Sequence, residues 1–364
     1  MLGVPVQPTC ENVDVLYFSR GKGRGHAIPD LTIVSELRKL RPGLRLVFAS
    51  YGVGAETLAS AGETTVNLGL DETVPFFEVL VSAGALLQRL HPRLVVSHED
   101  SAVLPIAKVF GLPTRFLIHW FSGPHDPFMQ ALRYADEILF IEKGGMFPEP
   151  DYLKGHIRYL GPVLRHFHYR LADRSRIRAE LGIAADESMI LVLPGKEWSH
   201  NSNTPYDVIA EAFRQLRKAR KRLIWVADKE REEIAKRALS CPSFEVLPLN
   251  GQPERLMVAC NVAITKGTYC TGKELEALGV PSISLSDGRN PIDDYYLRGF
   301  TNNTFVWLQD TDASTLARHI ERAIDRGPFP PDPNALEGSG AAAVAQWLAA
   351  GLDQTTAPIT PSAH

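Results

Sequence analysis

A short glycine-rich stretch, residues 19–29 (SRGKGRGHAIP), lies between an apolar run and a helical pattern and limits the folds open to this chain. The preceding residues 13–18 (VDVLYF) have the β-branched and aromatic content of a buried strand, and apolar residues recur at helical spacing over residues 28–40. The loop contains three alternating glycines, Gly21, Gly23 and Gly25. Such glycines can adopt positive φ and let backbone N–H groups approach a ligand beside the positive end of a helix. The sequence therefore predicts a strand, a loop and a helix that bind an anionic or polyhydroxyl ligand.

The glycine spacing argues against a dinucleotide-binding enzyme. It is GxGxG, not GxGxxG, and the second predicted strand, residues 44–50, ends without an acidic residue that could bind an adenosine ribose. His26 adds a side chain that can take up a proton near neutral pH, which suits a general base. A helix-capping histidine, or one satisfied within the core, is the structural alternative.

Composition sets wider bounds on the fold and the partners. A length of 364 residues predicts two domains, and 45% hydrophobic with 22% charged residues is typical of a globular protein. The 39 basic and 42 acidic residues give no electrostatic case for binding nucleic acid. No CxxC pair occurs among the four cysteines, so neither a disulfide framework nor a zinc site is expected. Without a signal peptide or a long apolar run, we expect a cytoplasmic protein.

Predicted strands alternate with predicted helices twice along the chain. The first series runs to about residue 141 and gives out near residue 165, and the second runs from residue 189 to about residue 324. This alternation predicts two doubly wound parallel sheets. We therefore expect domains over residues 1–165 and 166–330, with a helix over 335–352 that folds back on the first domain and a mobile tail over 353–364.

Residues 265–281 (TKGTYCTGKELEALGVP) form the best-marked site of the second predicted domain. The predicted strand ends in Lys266, Gly267 and Thr268. Thr271 stands three residues before Glu274, which is the spacing of a capping box at a helix start. Backbone amides there would suit a diphosphate. Glu274 has two possible roles, to accept hydrogen bonds from ribose hydroxyls or only to cap the helix.

Two of these motifs resemble those of one enzyme family. GKGRGHAIPDLTI resembles the glycine loop of the MurG-like glycosyltransferases, family 28 of the GT-B type, and TKGTYCTGKELEALGVP resembles their donor-nucleotide motif. The resemblance covers most of residues 13–325. It implies an α/β GT-B fold, in which two Rossmann-like domains face each other across a cleft. It also implies inverting transfer from a UDP-sugar with no bound metal and no cofactor.

The resemblance also assigns roles to individual residues. The family's glycine-loop histidine corresponds to His26, its ribose-binding glutamate to Glu274, and the histidine of its HEQN motif to His119. Further phosphate and uridine contacts are implied for Gly195 and the residues up to Ser199, and for Gly267, Thr268 and Thr271.

Three positions depart from the family pattern. Lys22 and Arg24 replace small residues, Trp120 replaces the glutamate of HEQN, and Asp293-Asp294 stands where paired glutamines often contact the donor sugar. The sugar, an N-acetylhexosamine or a hexose, is therefore left open.

Direct displacement at an anomeric carbon needs a base for the acceptor hydroxyl and positive charge for the departing diphosphate. His26 is the predicted base, and Arg24 or Lys266 could offset the diphosphate charge. The second candidates stand together at the end of a predicted strand and are His98, Glu99 and Asp100. Their alternative is a solvated turn that caps the helix at Ser101.

Other functions and partners stay open. A UDP-sugar 2-epimerase of the same fold and a catalytically silent UDP-sugar-binding subunit are the rival functions. The acceptor is expected on the first domain near residues 74–77 (VPFF), where one of two adjacent phenylalanine rings should stay at the surface. A lipid-linked or apolar acceptor, and at most peripheral association with the inner face of a membrane, would fit. The DxD string at residues 310–312 is predicted to cap a helix.

Overall fold

The structure is a computed structural model that describes residues 12–70, 76–121, 127–142, 144–145, 149–194, 204–226, 235, 243–248, 253–288 and 291–354. Two compact units divide the chain. The first takes Met1–Arg165 and Gly338–His364, and the second takes His166–Glu337.

The amino-terminal part of the first unit alternates strands and helices. Its strands are β1 (Val15–Ser19), β2 (Leu46–Ser50), β3 (Thr65–Asn67), β4 (Leu94–His98), β5 (Thr114–Ile118), β6 (Glu137–Phe140) and β7 (Ile157–Tyr159). Its helices are α1 (Ala27–Leu40), α2 (Gly52–Ser60), α3 (Phe76–Leu90), α4 (Val103–Val109) and α5 (Pro127–Ala131).

The second unit repeats this alternation. Its strands are β8 (Ser188–Leu193), β9 (Lys221–Val226), β10 (Phe244–Leu247), β11 (Val262–Thr265), β12 (Ser282–Ser286) and β13 (Asn303–Trp307). Its helices are α6 (Arg174–Glu180), α7 (Thr204–Gln215), α8 (Pro253–Ala259), α9 (Tyr269–Leu278), α10 (Pro291–Gly299), α11 (Ala313–Arg326) and α12 (Pro333–Leu336). The last helix, α13 (Ser339–Gln354), belongs to the first unit.

Both sheets are parallel in every described pairing and have the strand order of a Rossmann fold. The first sheet is ordered β3-β2-β1-β4-β5-β6-β7 and the second β10-β9-β8-β11-β12-β13. The order reverses beside the first strand of each sheet, which is where ligands bind in open α/β sheets. The predicted pair of doubly wound α/β sheets is confirmed.

The first sheet is buried on both faces, as the apolar strand sequences predict. Because side chains alternate along a strand, Val15 and Tyr17 pack with α1 and α13 on one face. Leu16 and Phe18 pack with α3 and α4 on the other face. The α13 helix contributes Val344, Ala345, Leu348 and Leu352 to the core shared with α1.

Several predicted boundaries are corrected. The second helix begins at Gly52, where residue 55 was predicted, and the strand β7 and the helices α5, α6 and α8 were not predicted at all. These missed elements are each seven residues or shorter, so they carry little hydrophobic periodicity. The predicted helix over residues 231–239 lies, apart from Ala235, outside the described residues.

Candidate active site

Three neighbouring strands of the first sheet end at one edge, and each is followed by a residue of the candidate site. Strand β4 lies between β1 and β5, with Ser19 paired to His98 and His98 paired to Leu117. The loop after β1 carries His26, and His119 follows β5 directly. The sheet topology therefore brings together side chains that are about 70 and 20 residues apart in sequence.

The glycine loop is held close to the start of α2. A Cβ on Gly21 would lie 2.1 Å from the carbonyl oxygen of Tyr51, and the amide of Gly54 donates to the Gly21 oxygen at 3.2 Å. Of the three loop glycines, Gly23 is the one with positive φ, at 67°. Gly21 and Gly25 do not use the positive φ that glycine allows, and Gly21 is needed for close packing instead.

Glu99 joins two histidines. Nε2 of His26 lies 2.9 Å from Oε2 of Glu99, and Nδ1 of His119 lies 2.8 Å from Oε1. Arg20 approaches the same carboxylate with Nη1 at 3.4 Å from Oε2. The Glu99 side chain is 2% exposed, whereas those of His26 and His119 are 13% and 16% exposed. A substrate can therefore reach the histidines more readily than the carboxylate that links them.

His26 occupies the N-cap position of α1, but its side chain makes no capping hydrogen bond. The capping alternative for His26 is therefore wrong. Because an ionised carboxylate only accepts hydrogen bonds, Nε2–H of a neutral His26 donates to Glu99 and the lone pair lies on Nδ1. That Nδ1 atom is buried and has no hydrogen-bond partner among the described residues. The neutral ring thus keeps one basic nitrogen for a proton.

His98 is held by a buried carboxylate on the first turn of α1. Its Nδ1 lies 2.7 Å from Oδ1 of Asp30, which also accepts from the Tyr17 hydroxyl at 2.6 Å. Tyr17, Asp30 and His98 are each at most 1% exposed. Since the carboxylate accepts, Nδ1 carries the hydrogen and Nε2 is the basic nitrogen of the neutral ring. Burial, followed by the charge of Asp30, raises the pKa of the Tyr17 hydroxyl.

The backbone at Glu99 is strained. Its φ is 59°, in the left-handed region that few residues other than glycine adopt, and its amide donates to the Leu117 oxygen at 3.1 Å. His98, Glu99 and Asp100 are all buried, and α4 begins at Val103 without a side-chain cap. The alternative of a solvated capping turn is therefore wrong. Strain of this kind is found most often at functional sites.

Asp100 follows Glu99 in the sequence, but its side chain contacts a tyrosine. Its Oδ1 accepts a hydrogen bond from the Tyr51 hydroxyl at 3.2 Å. Burial raises the pKa of Asp100 to about 6, although the Arg20 charge opposes this shift. The structure gives it no direct contact with His26, so Glu99 is the acidic residue that can act through the histidine.

Burial also affects the protonation of His26 and Glu99. It lowers the pKa of His26 to about 4, although the charge of Glu99 raises it. The pKa of Glu99 is well below its ordinary value, because the contacts with His119 and His26 outweigh the effect of burial. At neutral pH the pair is therefore an ionised carboxylate with a neutral imidazole, which is the state that a general base requires.

In the second unit, β11 and α9 hold the predicted donor motif. Lys266 follows β11, Gly267 has a φ of 95°, and Thr268 is the N-cap residue of α9. The Gly267 amide donates to Oγ1 of Thr265 at 3.3 Å. The motif is thus a strand, a glycine turn and a helix N-terminus, a geometry that suits an anionic ligand.

The predicted capping box is wrong. The α9 helix begins at Tyr269, so Thr271 and Glu274 lie inside it and Thr268 takes the N-cap position without a side-chain cap. The spacing misled the prediction because Tyr269 and Cys270, which precede Thr271, are already helical. Glu274 is 6% exposed, and a role limited to capping is excluded for it.

Of the other predicted donor residues, the structure describes the side chain of Asp294. Asp294 on α10 is 5% exposed and accepts a hydrogen bond from the Ser286 hydroxyl at the end of β12. The side chain of Asp293, and Gly195 with the residues up to Ser199, lie outside the described part of the chain. Trp120 stacks on Phe128 with ring centroids 5.1 Å apart.

The surface near α3 presents one aromatic ring. Phe77 is 73% exposed, Val81 one turn later is 69% exposed, and Phe76 packs against the core. Phe77 is thus the surface ring, and residues 74–75 lie outside the described chain. Within the described chain, no helix combines the length and apolar character that spanning a bilayer requires.

Sequence reasoning missed four residues that hold the site together, Tyr17, Arg20, Asp30 and Tyr51. An acidic residue in a first helical turn is common, and a tyrosine in a strand reads as core, so neither pattern marks a site. These residues are recognised as part of the site only by the contacts that they make across the sheet, and those contacts cannot be identified without the fold.

Comparison with curated proteins gives distant relatives that differ in how much of this chain they match. A lipid-A-disaccharide synthase of Verminephrobacter eiseniae is 33% identical over 38% of this chain, and the matched part spans 36% of that protein's length. A UDP-N-acetylglucosamine–N-acetylmuramyl-(pentapeptide) pyrophosphoryl-undecaprenol N-acetylglucosamine transferase of Carboxydothermus hydrogenoformans is 24% identical over 74% of this chain and 76% of its own. No family model matches the chain.

Solved structures show the same fold at low identity. UGT89C1 of Arabidopsis thaliana is 14% identical, with a TM-score of 0.68 over 93% of this chain and 99% of its own. MurG of Acinetobacter baumannii is 13% identical, with a TM-score of 0.62 over 92% and 95%. A UDP-GlcNAc 2-epimerase of Methanocaldococcus jannaschii is 13% identical, with a TM-score of 0.63 over 92% and 99%. The predicted GT-B fold class is confirmed.

Proposed function

We propose that this chain, which has the GT-B fold and resembles the MurG-like glycosyltransferases, transfers a sugar from a UDP-sugar to a hydroxyl acceptor with inversion at the anomeric carbon. The observation that carries the proposal is the contact of 2.9 Å between His26 and Glu99. It joins a basic nitrogen to a buried carboxylate at the edge of the sheet where ligands of such folds bind.

In this proposal His26 is the general base. Glu99 accepts the Nε2–H bond and fixes the tautomer. It also stabilises the charge that appears when Nδ1, which is buried in this structure and must first be exposed to the acceptor, takes the proton of the acceptor hydroxyl. As that proton leaves, the acceptor oxygen bonds to the anomeric carbon and the bond to the UDP oxygen breaks. The carboxylate orients the base and does not itself touch the reacting atoms.

The second unit supplies the donor site in this proposal. The α9 N-terminus, with the amides at Gly267 and Thr268 and the charge of Lys266, would stabilise the departing diphosphate without a metal or other cofactor. Glu274 would accept hydrogen bonds from the ribose hydroxyls. UDP-N-acetylglucosamine is the first donor to test, because the Carboxydothermus relative carries that donor in its name.

The acceptor in this proposal is lipid-linked or otherwise apolar. Phe77 and Val81 are four residues apart on α3, so they share one face of that helix and form an exposed apolar surface. The names of both relatives refer to lipids or lipid carriers. We further propose a cytoplasmic location with at most peripheral contact with the inner face of a membrane.

A screen of UDP-sugars tests the proposal. The chain is incubated with each donor, first alone and then with a panel of hydroxyl acceptors, and UDP release and sugar products are measured. We expect UDP release that rises with an acceptor. Conversion of the donor sugar without an acceptor would indicate the epimerase, and UDP binding without turnover across the panel would indicate the silent subunit.

Substitution of His26 and Glu99, one at a time, tests the mechanism. His26→Ala and Glu99→Gln should each lower turnover by about 10²-fold or more, the usual scale for a positioned base and its support, while UDP binding stays within a few-fold. Glu245→Gln, on the exposed face of β10, and His156→Ala, on an exposed turn, are matched controls. Unchanged turnover in His26→Ala would rule out the base assignment.

A further inference from the structure

Three histidines and a glutamate form one cluster at the edge of the first sheet. One ligand atom of each of His26, His98, Glu99 and His119 lies within 4.8 Å of the others. Three imidazoles and a carboxylate are a donor set that zinc binds, with four ligands in tetrahedral geometry. Cysteine spacing cannot reveal such a site, and the three histidines are too far apart in sequence to form a motif.

The distances are close to those of a metal site. Two ligand atoms that each lie 2.0–2.1 Å from a tetrahedral ion are about 3.3 Å apart. His26 lies 2.9 Å from Oε2 of Glu99 and His119 lies 2.8 Å from Oε1, so whichever oxygen binds the ion, one of these two pairs needs only small adjustment. The widest pair in the cluster would close by about 1.5 Å.

The surroundings of His98 provide an independent reason. A histidine that binds a metal usually donates its other ring N–H to a carboxylate, which fixes the tautomer and makes the ligand nitrogen more basic. Asp30 accepts from Nδ1 of His98 at 2.7 Å and is itself held by the Tyr17 hydroxyl at 2.6 Å. The proposed glycosyl transfer makes no use of this buried arrangement, which leaves Nε2 of His98 as the ligand nitrogen.

Charge and access are both compatible with a cation. Glu99 is ionised, and Asp30 and Asp100 lie beside the cluster, whereas the charge of Arg20, with Nη1 3.4 Å from Oε2 of Glu99, opposes a cation. The partly exposed side chains of His26 and His119 give an ion its approach.

We infer that His26, His98, Glu99 and His119 form a zinc site whose occupation blocks the proposed base. Zinc on Nε2 of His26 would move the ring hydrogen from Nε2 to Nδ1, so Nδ1 could no longer accept the proton of the acceptor hydroxyl. Binding of zinc needs no assumption about the reaction. The inhibition rests on the proposed function.

Binding of Co²⁺ and Zn²⁺ to the full chain, free of any affinity tag, tests the inference. Co²⁺ should give the visible absorption of a four-coordinate nitrogen and oxygen site, saturate at one ion per chain and be displaced by Zn²⁺. His119→Ala should weaken zinc binding by more than about 100-fold and Asp30→Asn by about 10- to 100-fold. His156→Ala, on an exposed turn, should bind as the wild type does.

The outcomes separate the two proposals. Absence of a four-coordinate Co²⁺ spectrum from the folded wild type, or equal zinc affinity in the folded His119→Ala variant, would overturn the site whatever the enzyme does. If transfer is observed, stoichiometric zinc should abolish it and EDTA should restore it. Full transfer by the zinc-loaded chain would overturn the inhibition. Zinc binding by a chain with no transfer activity would leave the site standing and count against the proposed function alone.

Discussion

Oγ of Ser286 lies 2.5 Å from Oδ1 of Asp294, and the same hydroxyl accepts a hydrogen bond from the Gly288 amide at 3.0 Å. Asp294 therefore holds the turn that follows β12. Asp294→Ala should lower the free energy of unfolding by about 1–2 kcal/mol, because it removes the acceptor of a buried hydrogen bond. Denaturant unfolding measures this change.

Asp293, the neighbouring residue on α10, is expected to act on the donor sugar instead. Asp293→Asn should change the ranking of UDP-sugars in the turnover assay without altering the free energy of unfolding or the affinity for UDP. An identical donor ranking for the variant and the wild type would remove Asp293 from the proposed donor site.

Glu274 should matter for UDP itself. Glu274→Ala is expected to weaken UDP binding by about 1–3 kcal/mol in calorimetry, because the ribose hydroxyls lose a buried acceptor. Glu276→Ala on the same helix is the matched control, since Glu276 is only partly buried and accepts from the Thr301 amide at 3.4 Å. Equal affinities in Glu274→Ala and the wild type would assign Glu274 a packing role.

The transfer reaction should persist in EDTA. The DxD string does not form a metal site of the described structure, because Asp312 caps α11 by accepting from the Thr315 amide at 2.7 Å, as predicted. Activity is measured after dialysis against EDTA and again after manganese or magnesium is added. Loss in EDTA that either ion reverses would contradict the proposed metal-independent mechanism.

The acid limit of activity, which is the pH below which activity falls because the base becomes protonated, should be unusually low for a histidine. Since burial lowers the pKa of His26 to about 4, the ring stays neutral as pH falls from 7 to 5, and kcat/KM measured in EDTA should change little. A histidine with the ordinary pKa would lose activity roughly 30-fold over that range. Glu99, His98, His119 and Arg20 face the ring.

Asp100 also titrates in this range, with a pKa of about 6, but the acid limit is predicted to belong to His26. Asp100→Asn should therefore leave the acid limit unchanged. A limit near pH 6.5 in both proteins would contradict the neutral, buried base.

The two adjacent phenylalanines should behave differently. Phe77→Ser should raise the KM for an apolar acceptor and spare the melting temperature, because the ring is 73% exposed. Phe76→Ser should lower the melting temperature by several degrees, because Phe76 packs against the core under α3. A similar fall in melting temperature for both variants, with the acceptor KM unchanged, would refute the acceptor surface.

Strand and helix order could be read from the sequence because each element carries its own hydrophobic pattern. The glycine loop and His26 were found in the same way, since loop, strand and helix are contiguous. The partner of His26 could not be chosen from sequence, because Glu99 meets it only through the β1–β4 pairing and a residue with positive φ. The start of α9 was misplaced because a helix can begin without a side-chain cap.

The α13 helix is the last described part of the chain, yet its apolar face completes the core beside α1, near the start. During translation, α13 is synthesised only after the whole second unit, so α1 cannot be covered by α13 until then. Until then, Ile33, Val34 and Leu37 would stay open to chaperones on the side that α13 will occupy. The order of synthesis thus favours a second unit that folds first, and a nascent chain stalled before Gly338 would hold its amino-terminal unit unfinished.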